Sequence, residues 1–141
     1  MEPAPTPRPV PLVHDIPFWE SVEQRDLKLQ CCAECGLWRY PAGPICAECN
    51  SEESTWERVS GRGTILSWVV FHKTYLPAYP APHSVIAVRL EEGPLLISNL
   101  EGPEPEGSWI GERVVLRYST MPDGFVLPRF ALDRSASPAP A

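Results

Sequence analysis

Three features of the 141-residue sequence predict a mainly β protein that joins a small cysteine-rich unit to a compact barrel. Two C-x-x-C turns lie in the first third of the chain, at residues 32–35 and 46–49. From Gly63 onward, five β-rich segments follow one another, with no convincing helical periodicity between the last four. Hydrophobic residues (43%) and charged residues (21%) occur at ordinary globular levels, so most of the chain should pack around a core.

Proline is unusually frequent, with 18 residues, and many of these lie at the two ends of the chain. Terminal segments of this composition favour extended, solvated conformations and bury too little apolar surface to fold. We therefore divide the chain into four parts. These are a disordered proline-rich arm (residues 1–14), an N-terminal helix with the cysteine-rich unit (15–56), a barrel (57–132) and a disordered tail (133–141).

Residues 15–25 are predicted to form a short helix, with Asp15 as its cap and Pro17 tolerated in the first turn. A helix this short is unstable in water unless its apolar residues pack on something. They either dock on the protein's own barrel or embrace another subunit, and the sequence leaves both open. The apolar residues at helical spacing are Ile16, Trp19 and Val22, with Phe18 beside them.

The two cysteine turns predict a metal site formed by Cys32, Cys35, Cys46 and Cys49. A thiolate pair on each of two tight turns can close tetrahedrally on Zn²⁺, and four thiolates leave no open coordination position, so the metal should be structural. Iron also accepts four thiolates, so the spacing alone does not distinguish the two metals. Cys31 directly precedes Cys32, so only one of the two can face the metal. The equal spacing of the two C-x-x-C turns indicates that Cys32, rather than Cys31, is the ligand. We expect Cys31 to be a packed, reduced thiol.

The segments around the cysteines have the pattern of a zinc ribbon. Gly36 and Asn50 each follow a C-x-x-C turn by one residue, where positive φ is required. Residues 27–31 and 37–40 are predicted to be short strands, and the polar, acidic residues 51–55 are predicted to be a loop.

The second part of the chain has the pattern of a barrel of five strands. A proline-rich loop at residues 75–82 follows the first strand, and Pro128 should place the last strand at an edge or split it in two. Five strands in about seventy residues, beginning with a long one, suit an OB-type Greek-key barrel. The predicted strands are residues 64–72, the hairpin 84–90 and 94–100, and residues 113–118 and 125–132.

Four residues beside the proline-rich loop are candidates for contact with a partner. Tyr75 and Tyr79 lie on the stiffened loop, where little entropy is lost when a partner buries them. The alternative is that they pack on the protein's own barrel. His72 ends one predicted strand and His83 begins the next, so the two could approach each other, although a lone histidine at a strand end is usually structural. None of the three histidines lies in a recognisable catalytic pattern.

The charge balance argues against a nucleic-acid partner. The formal net charge is −6, with 12 Lys+Arg against 18 Asp+Glu, and the only lysines are Lys28 and Lys73. Phosphate backbones are bound mainly through clustered Lys and Arg. OB barrels and zinc ribbons do bind single-stranded nucleic acid or tRNA, and the alternative therefore stays open. Stacking surfaces for it would be Trp68, Phe71, Tyr75 and Tyr79.

Neither a signal peptide nor an apolar run long enough to span a membrane is present, so we expect a cytoplasmic protein with reduced thiols.

The order of these features is similar to that of a family of acyl-CoA-associated proteins that join a rubredoxin-like zinc ribbon to an OB-fold, long classed as a domain of unknown function. The resemblance covers about residues 15–132. Its motifs are individually short, but their order and spacing are specific. The matching stretches are residues 17–19, 29–36, 40–41, 46–49, 59–64, 88–94, 99–100, 110–114 and Phe130.

The resemblance implies a non-catalytic companion of a thiolase-superfamily aldolase or thiolase, acting in a hetero-oligomer on an acyl-CoA held at or near the interface. Steroid side-chain degradation is one implied setting. The sequence has no hydratase domain, so any hydratase should be another chain. A stand-alone acyl-CoA thioesterase or hydratase is the remaining alternative, and it predicts turnover by the isolated protein. The expected partner or acyl-CoA contacts are Phe18, Trp19, His72, Tyr75, Tyr79 and His83.

Overall fold

The computed structural model describes residues 2–135 and confirms a mainly β fold with one short helix. The first three strands form a ribbon sheet and the other six form a second sheet. No helix in the described part of the chain is long and apolar enough to cross a membrane. The elements are α1 (Ile16–Glu23), β1 (Lys28–Cys32), β2 (Trp38–Arg39), β3 (Ser54–Arg58), β4 (Arg62–Phe71), β5 (His83–Leu90), β6 (Leu95–Ser98), β7 (Leu100–Glu101), β8 (Arg113–Thr120) and β9 (Val126–Leu132).

Helix α1 packs three of its four predicted apolar residues on the core. Phe18 and Val22 are buried and Trp19 is half-buried, whereas Ile16 is exposed. Ser21 is buried as well, because its hydroxyl donates to the Phe18 carbonyl (2.6 Å) and accepts from the Lys28 N–H (3.0 Å), which ties the helix to β1. The predicted side-chain cap is wrong.

Asp15 occupies the N-cap position in a helical conformation (φ −92°, ψ −17°) and makes no side-chain cap hydrogen bond. Its carboxylate instead accepts a hydrogen bond from the Leu12 N–H at 3.3 Å. A capping side chain normally requires an extended backbone at this position, which explains why the sequence signal fails here.

The ribbon sheet has the order β2-β1-β3, and its third strand was not predicted. The predicted loop at residues 51–55 is strand from Ser54 onward, and β3 pairs antiparallel with all of β1, for example Thr55 with Cys31 and Trp56 with Gln30. The acidic residues before it hide this strand in the sequence. Pairing with β1, rather than local pattern, determines its conformation.

The second sheet closes into a barrel through a strand that is broken at one residue. Its order is β6-β5-β4-β8-β9-β7, and β6 and β7 are separated only by Asn99. Because the two ends of this sheet belong to one run of chain, the sheet forms a closed ring of five strands. The parallel pairing of β7 with β9 completes it. The predicted five-stranded OB-type barrel is thereby confirmed.

Strand β9 is continuous and lies between β8 and β7, so neither predicted effect of Pro128, an edge position or a split strand, is found. Pro128 pairs with Tyr118 of β8 inside a seven-residue ladder. On its other side, β7 pairs only with Phe130 and Ala131, so no ladder hydrogen bond is required of residue 128 there. The Pro128 carbonyl accepts from the Ser98 hydroxyl at 2.6 Å, so a side chain of β6 satisfies it in place of a ladder hydrogen bond.

The ribbon and the barrel share one hydrophobic core. Leu27 and Leu29, at the start of the ribbon, are fully buried in the same cluster as Ile65, Val88 and Phe130 of the barrel. The Leu27 N–H also donates to the Tyr118 hydroxyl at 2.7 Å, so the junction is hydrogen-bonded as well as packed.

Two residues of the N-terminal arm contact the barrel. Thr6 is buried, and both its N–H (2.7 Å) and its hydroxyl (2.9 Å) donate to the Asp123 carboxylate in the turn before β9. Arg8 lies 3.7 Å from the same carboxylate and 4.9 Å from the centre of the Phe125 ring. Asp123 therefore provides acceptors that the arm's composition does not reveal. Most of the predicted tail, residues 136–141, lies outside the described residues.

Docking of the arm should depend on pH, because hydrogen bonds from the Thr6 N–H, the Thr6 hydroxyl and the Phe125 N–H hold the pKa of Asp123 below its usual value. The charge of Arg8 acts in the same direction. A carboxyl group whose pKa is lower in the folded than in the unfolded state stabilises the folded protein at pH values above its unfolded pKa of about 4. That stabilisation is lost as the pH falls through the folded pKa. We expect the Thr6 amide NMR signal to move toward a solvated position below about pH 4.

Asp123→Asn should abolish this pH dependence, whereas Asp133→Asn, which removes a carboxylate at the other end of β9, should preserve it. A Thr6 amide signal in the wild-type protein that does not change as the pH falls well below the ordinary aspartate pKa of about 4 would contradict the assignment.

Candidate functional site

The four predicted metal ligands are brought together by two turns of equivalent geometry. In the first turn, the Gly36 N–H donates to the Cys32 carbonyl (3.0 Å), and in the second the Asn50 N–H donates to the Cys46 carbonyl (2.9 Å). Gly36 (φ 77°) and Asn50 (φ 61°) have the predicted positive φ. The two turns of the site therefore have equivalent backbone geometry.

The sulfur atoms form a compact group that fits a tetrahedral metal ion. The Sγ atoms of Cys32, Cys35, Cys46 and Cys49 all lie within 4.8 Å of one another. Sγ of Cys32 is 3.5 Å from that of Cys49, and Sγ of Cys35 is 3.6 Å from that of Cys46. Four thiolates at about 2.3 Å from a Zn²⁺ ion would lie about 3.8 Å apart, so the donor set fits zinc. These four cysteines would hold it as a structural ion.

Electrostatics at the sulfurs also favours a bound cation. The N–H groups of Cys35 and Glu34 donate toward Cys32 and lower its pKa to about 6. The Leu37 N–H acts in the same direction at Cys35, but the neighbouring thiols, with burial, raise the pKa of Cys35 to about 12. The site alone therefore cannot carry four negative sulfurs. A divalent ion removes this repulsion and allows all four to ionise.

Cys31 stays outside the metal site, as predicted. Its Sγ lies 3.5 Å from the Gly36 carbonyl on the outside of the turn, and it does not belong to the four-cysteine cluster. Burial, followed by the nearby Glu57, raises the pKa of its thiol, so the thiol stays protonated.

A second candidate surface surrounds the proline-rich loop, where three of the predicted contact residues meet. The Tyr79 ring stacks on that of His83 with 5.1 Å between centroids. Tyr75 contacts Phe71 edge-on at 5.9 Å, and Lys73 lies 5.6 Å from the Tyr75 ring. Tyr79 therefore packs on its own barrel, whereas Tyr75 is 69% exposed. Packing on the protein's own barrel thus describes Tyr79, while Tyr75 remains a candidate for contact with a partner.

The remaining predicted contact residues do not join this surface. Phe18 is buried in the core and touches Trp19 and Tyr40, so its ring is not available to a partner in this structure. Trp19 lies on the helix against Phe125 at 5.8 Å. His72 is exposed just after β4. The side chain that His83 contacts through its Nε2 atom is Asn99, at 3.3 Å.

An apolar patch on the outside of strands β4, β5 and β6 continues this surface, and sequence reasoning missed it. Val69 pairs with Val85, and Ile97 pairs with Ala87, so these side chains share one face of the sheet. The buried residues Ile86 and Leu96 occupy the opposite face. Strict alternation in the 84–90 and 94–100 hairpin could have revealed it. We call the exposed residues Val69, Phe71, Tyr75, Leu76 and Ile97 the apolar face; they are 42–69% exposed.

Comparison with known families matches both parts of the chain. The family described as the ChsH2 rubredoxin-like zinc ribbon domain matches residues 19–55. The family described as the ChsH2 C-terminal OB-fold domain matches residues 56–119. Together the two matches cover most of the ribbon and the barrel.

Proteins of two kinds are similar in sequence to this chain. A probable enoyl-CoA hydratase alpha subunit of Thermomonospora curvata is 38% identical over 87% of this chain, and the 3-oxo-4,17-pregnadiene-20-carboxyl-CoA hydratase alpha subunit of Mycobacterium tuberculosis is 34% identical over 75%. The chain spans only 39% and 34% of these two proteins. A DUF35 domain-containing scaffold protein of Methanothermobacter thermautotrophicus is 33% identical over 76% of this chain and 83% of its own length.

A solved structure has the same fold. The structure named Ltp2-ChsH2(DUF35) aldolase contains a chain that superposes with a TM-score of 0.82 at 34% identity, covering 89% of this chain and 98% of that one. The match extends over the ribbon, the barrel and their connection. The chain described here therefore belongs to the DUF35 family, in which a ChsH2-type rubredoxin-like zinc ribbon precedes an OB-fold domain.

Proposed function

We propose that this chain is a non-catalytic accessory subunit that binds a thiolase-fold, lipid-transfer-protein-like aldolase or thiolase and supports acyl-CoA processing. The observation that carries the proposal is the apolar face on a chain that resembles a subunit of the Ltp2-ChsH2(DUF35) aldolase. The steroid acyl-CoA in the name of the mycobacterial relative suggests steroid side-chain degradation as the setting. The acyl-CoA would lie at or near the interface.

The apolar face has the composition of a docking surface. Monomeric proteins rarely leave contiguous apolar patches of this kind in water, and aromatic anchors on rigid backbone are typical of interface centres. The loop is held by a hydrogen bond from the Ala81 N–H to the Thr74 hydroxyl (2.8 Å) and by the Leu76–Tyr79 bridge. Tyr75 and Leu76 are thus presented on a fixed scaffold, which lowers the entropy cost of binding.

The metal site supports an accessory role. Four thiolates around one ion leave no position for substrate, so the zinc would stabilise the ribbon rather than act on a thioester. The word "scaffold" in the archaeal relative's name agrees with this role. Among the residues lining the groove between the loop and β5, the only permanent cation is Lys73, which does not favour the nucleic-acid alternative.

Co-purification from the native host tests the proposal. A tagged chain should recover a thiolase-superfamily protein, and adding the purified chain should change the aldolase or thiolase activity of that protein. Recovery of no such protein, together with no effect on activity, would reject it. Turnover of an acyl-CoA by the isolated chain, or tight and salt-sensitive retention of an oligonucleotide, would instead favour one of the two alternatives.

A further inference from the structure

Arg129 of β9 is a largely buried cation whose ion pair with Glu101 is too long for a hydrogen bond. Its side chain is only 19% exposed, and its Nε atom is buried with no hydrogen-bond partner among residues 2–135. The Glu101 carboxylate is 3.9 Å from Nη1, beyond hydrogen-bond distance. The only hydrogen-bond contact of the guanidinium in the described chain is the Met121 sulfur, 3.7 Å from Nη2 and a weak acceptor.

Such an arrangement is costly unless something else supplies the missing oxygens. A guanidinium presents five N–H donors in a planar fork that matches a carboxylate or phosphate group. Leaving a buried donor such as Nε without an acceptor lowers stability, so its presence in a folded protein requires an explanation.

A cavity lies beside Arg129, where the closing strand of the barrel is broken. Its volume is about 280 Å³, and its wall includes Arg129, Tyr79, His83, Ser84 and Asn99. The Asn99 amide donates to the Ser84 carbonyl (2.5 Å) and lies 3.3 Å from Nε2 of His83. The break between β6 and β7 thus exposes polar groups that a continuous strand would cover. If the Asn99 amide donates to Nε2 of His83, the neutral ring carries its proton on Nδ1, and this N–H is available as a donor.

The charges around the cavity have both signs. Arg117 stands opposite Arg129 in the β8–β9 ladder, so two like charges share one face of the sheet. Glu101 accepts a hydrogen bond from the Ser119 hydroxyl and is only a distant partner of Arg129, while Glu104 also lines the cavity. An anion would therefore be held at the Arg129 and His83 side of the cavity.

We propose that this cavity binds a small oxyanion, a carboxylate or phosphate group, whose oxygens accept hydrogen bonds from the Arg129 guanidinium. Entry of an anion would supply the acceptors that Arg129 lacks. Its negative charge would also offset the repulsion between Arg129 and Arg117. Burial, and then Arg129, lower the pKa of His83 in the free protein. A bound anion would raise that pKa, because negative charge stabilises the imidazolium. The site is on this chain alone, so it does not depend on the proposed partner.

The experiment uses the zinc-loaded full chain in a zwitterionic buffer at constant ionic strength, titrated separately with inorganic phosphate and acetate. We expect at least one anion to raise the melting temperature, to shift the Arg129 Nε–H resonance and to raise the His83 pKa measured by NMR. The phosphate and acetate arms identify which oxyanion is preferred. Arg129→Met should weaken binding about tenfold or more, since a charge-assisted hydrogen bond is lost.

Arg117→Met is the matched control, because it removes the same charge from the exposed residue directly opposite. It should preserve binding. Arg129→Met should also melt no lower than the wild type without anion, because it removes an unsatisfied group. Equal weakening in both variants would indicate non-specific attraction and overturn the proposal. If Arg129→Met does not fold, an Arg129 Nε–H resonance in the wild type that neither anion moves would overturn it as well.

Discussion

Cys46→Ser should release the zinc ion and unfold the ribbon. Cys46 is fully buried, and its Sγ lies 3.6 Å from that of Cys35, so the substitution removes a ligand from the centre of the cluster. Structural zinc in small domains contributes about 10–16 kcal/mol of apparent binding free energy, most of which is folding free energy. Loss of one thiolate of four should lower zinc affinity by several orders of magnitude. Metal analysis of the purified variant should find less than about one-tenth of the wild-type zinc.

The barrel should be destabilised too, because the ribbon supplies part of its core. Leu27 and Leu29 are buried against barrel residues. Full burial of each such side chain is worth about 1.5–3 kcal/mol, so melting of the ribbon removes about 3–6 kcal/mol of packing. We expect calorimetry to show a single transition that falls by more than about 5 °C. Two separate transitions, with the barrel melting at its wild-type temperature, would show that packing of the ribbon does not contribute to the stability of the barrel.

Cys31→Ser is the control for both effects. The Cys31 thiol points away from the metal cluster and contacts the Gly36 carbonyl, an interaction that a serine hydroxyl can also make. Zinc content and melting temperature should therefore stay close to the wild-type values. A full complement of zinc in Cys46→Ser, or loss of zinc in Cys31→Ser, would show that the ligands are assigned wrongly.

The metal site could be predicted from the sequence because its determinants are local. The spacing of the four cysteines, together with Gly36 and Asn50 at equivalent positions, specifies both turns without reference to the rest of the chain. Strand β3 has no such local signal. Its polar neighbours suggest a loop, and only hydrogen bonds to β1 make it a strand.

Several features that the sequence did not reveal depend on contacts between distant segments. The anchoring of Thr6 requires Asp123, 117 residues away. The cavity at Arg129 lies where the strand is interrupted at Asn99. No turn-forming pattern in the sequence predicts this interruption, because Asn99 stands within an apolar strand. The burial of Ser21 likewise follows from one hydroxyl that bridges two elements. Periodicity detects the strands, but it does not show which of them leave a polar group unpaired.

Ile97→Glu should weaken binding to the proposed thiolase-superfamily partner by about thirtyfold or more. Ile97 is 63% exposed on the outside of β6, so the substitution should leave the fold intact. In a complex that buries the apolar face, the new carboxylate loses its water without gaining a partner, at a cost of roughly 2–5 kcal/mol. Isothermal titration calorimetry with the partner recovered by co-purification measures the change in Kd directly.

Ile110→Glu is the matched control, because Ile110 is 61% exposed and lies in the turn before β8, outside the apolar face. The two variants introduce the same charge in place of the same side chain at nearly equal exposure. Any general effect of added negative charge on solubility or association should therefore be the same in both. A loss of binding confined to Ile97→Glu would assign the interface to the outer surface of β4, β5 and β6. Equal affinity in the two variants would instead place the partner on another part of the chain, whether or not the acyl-CoA role is correct.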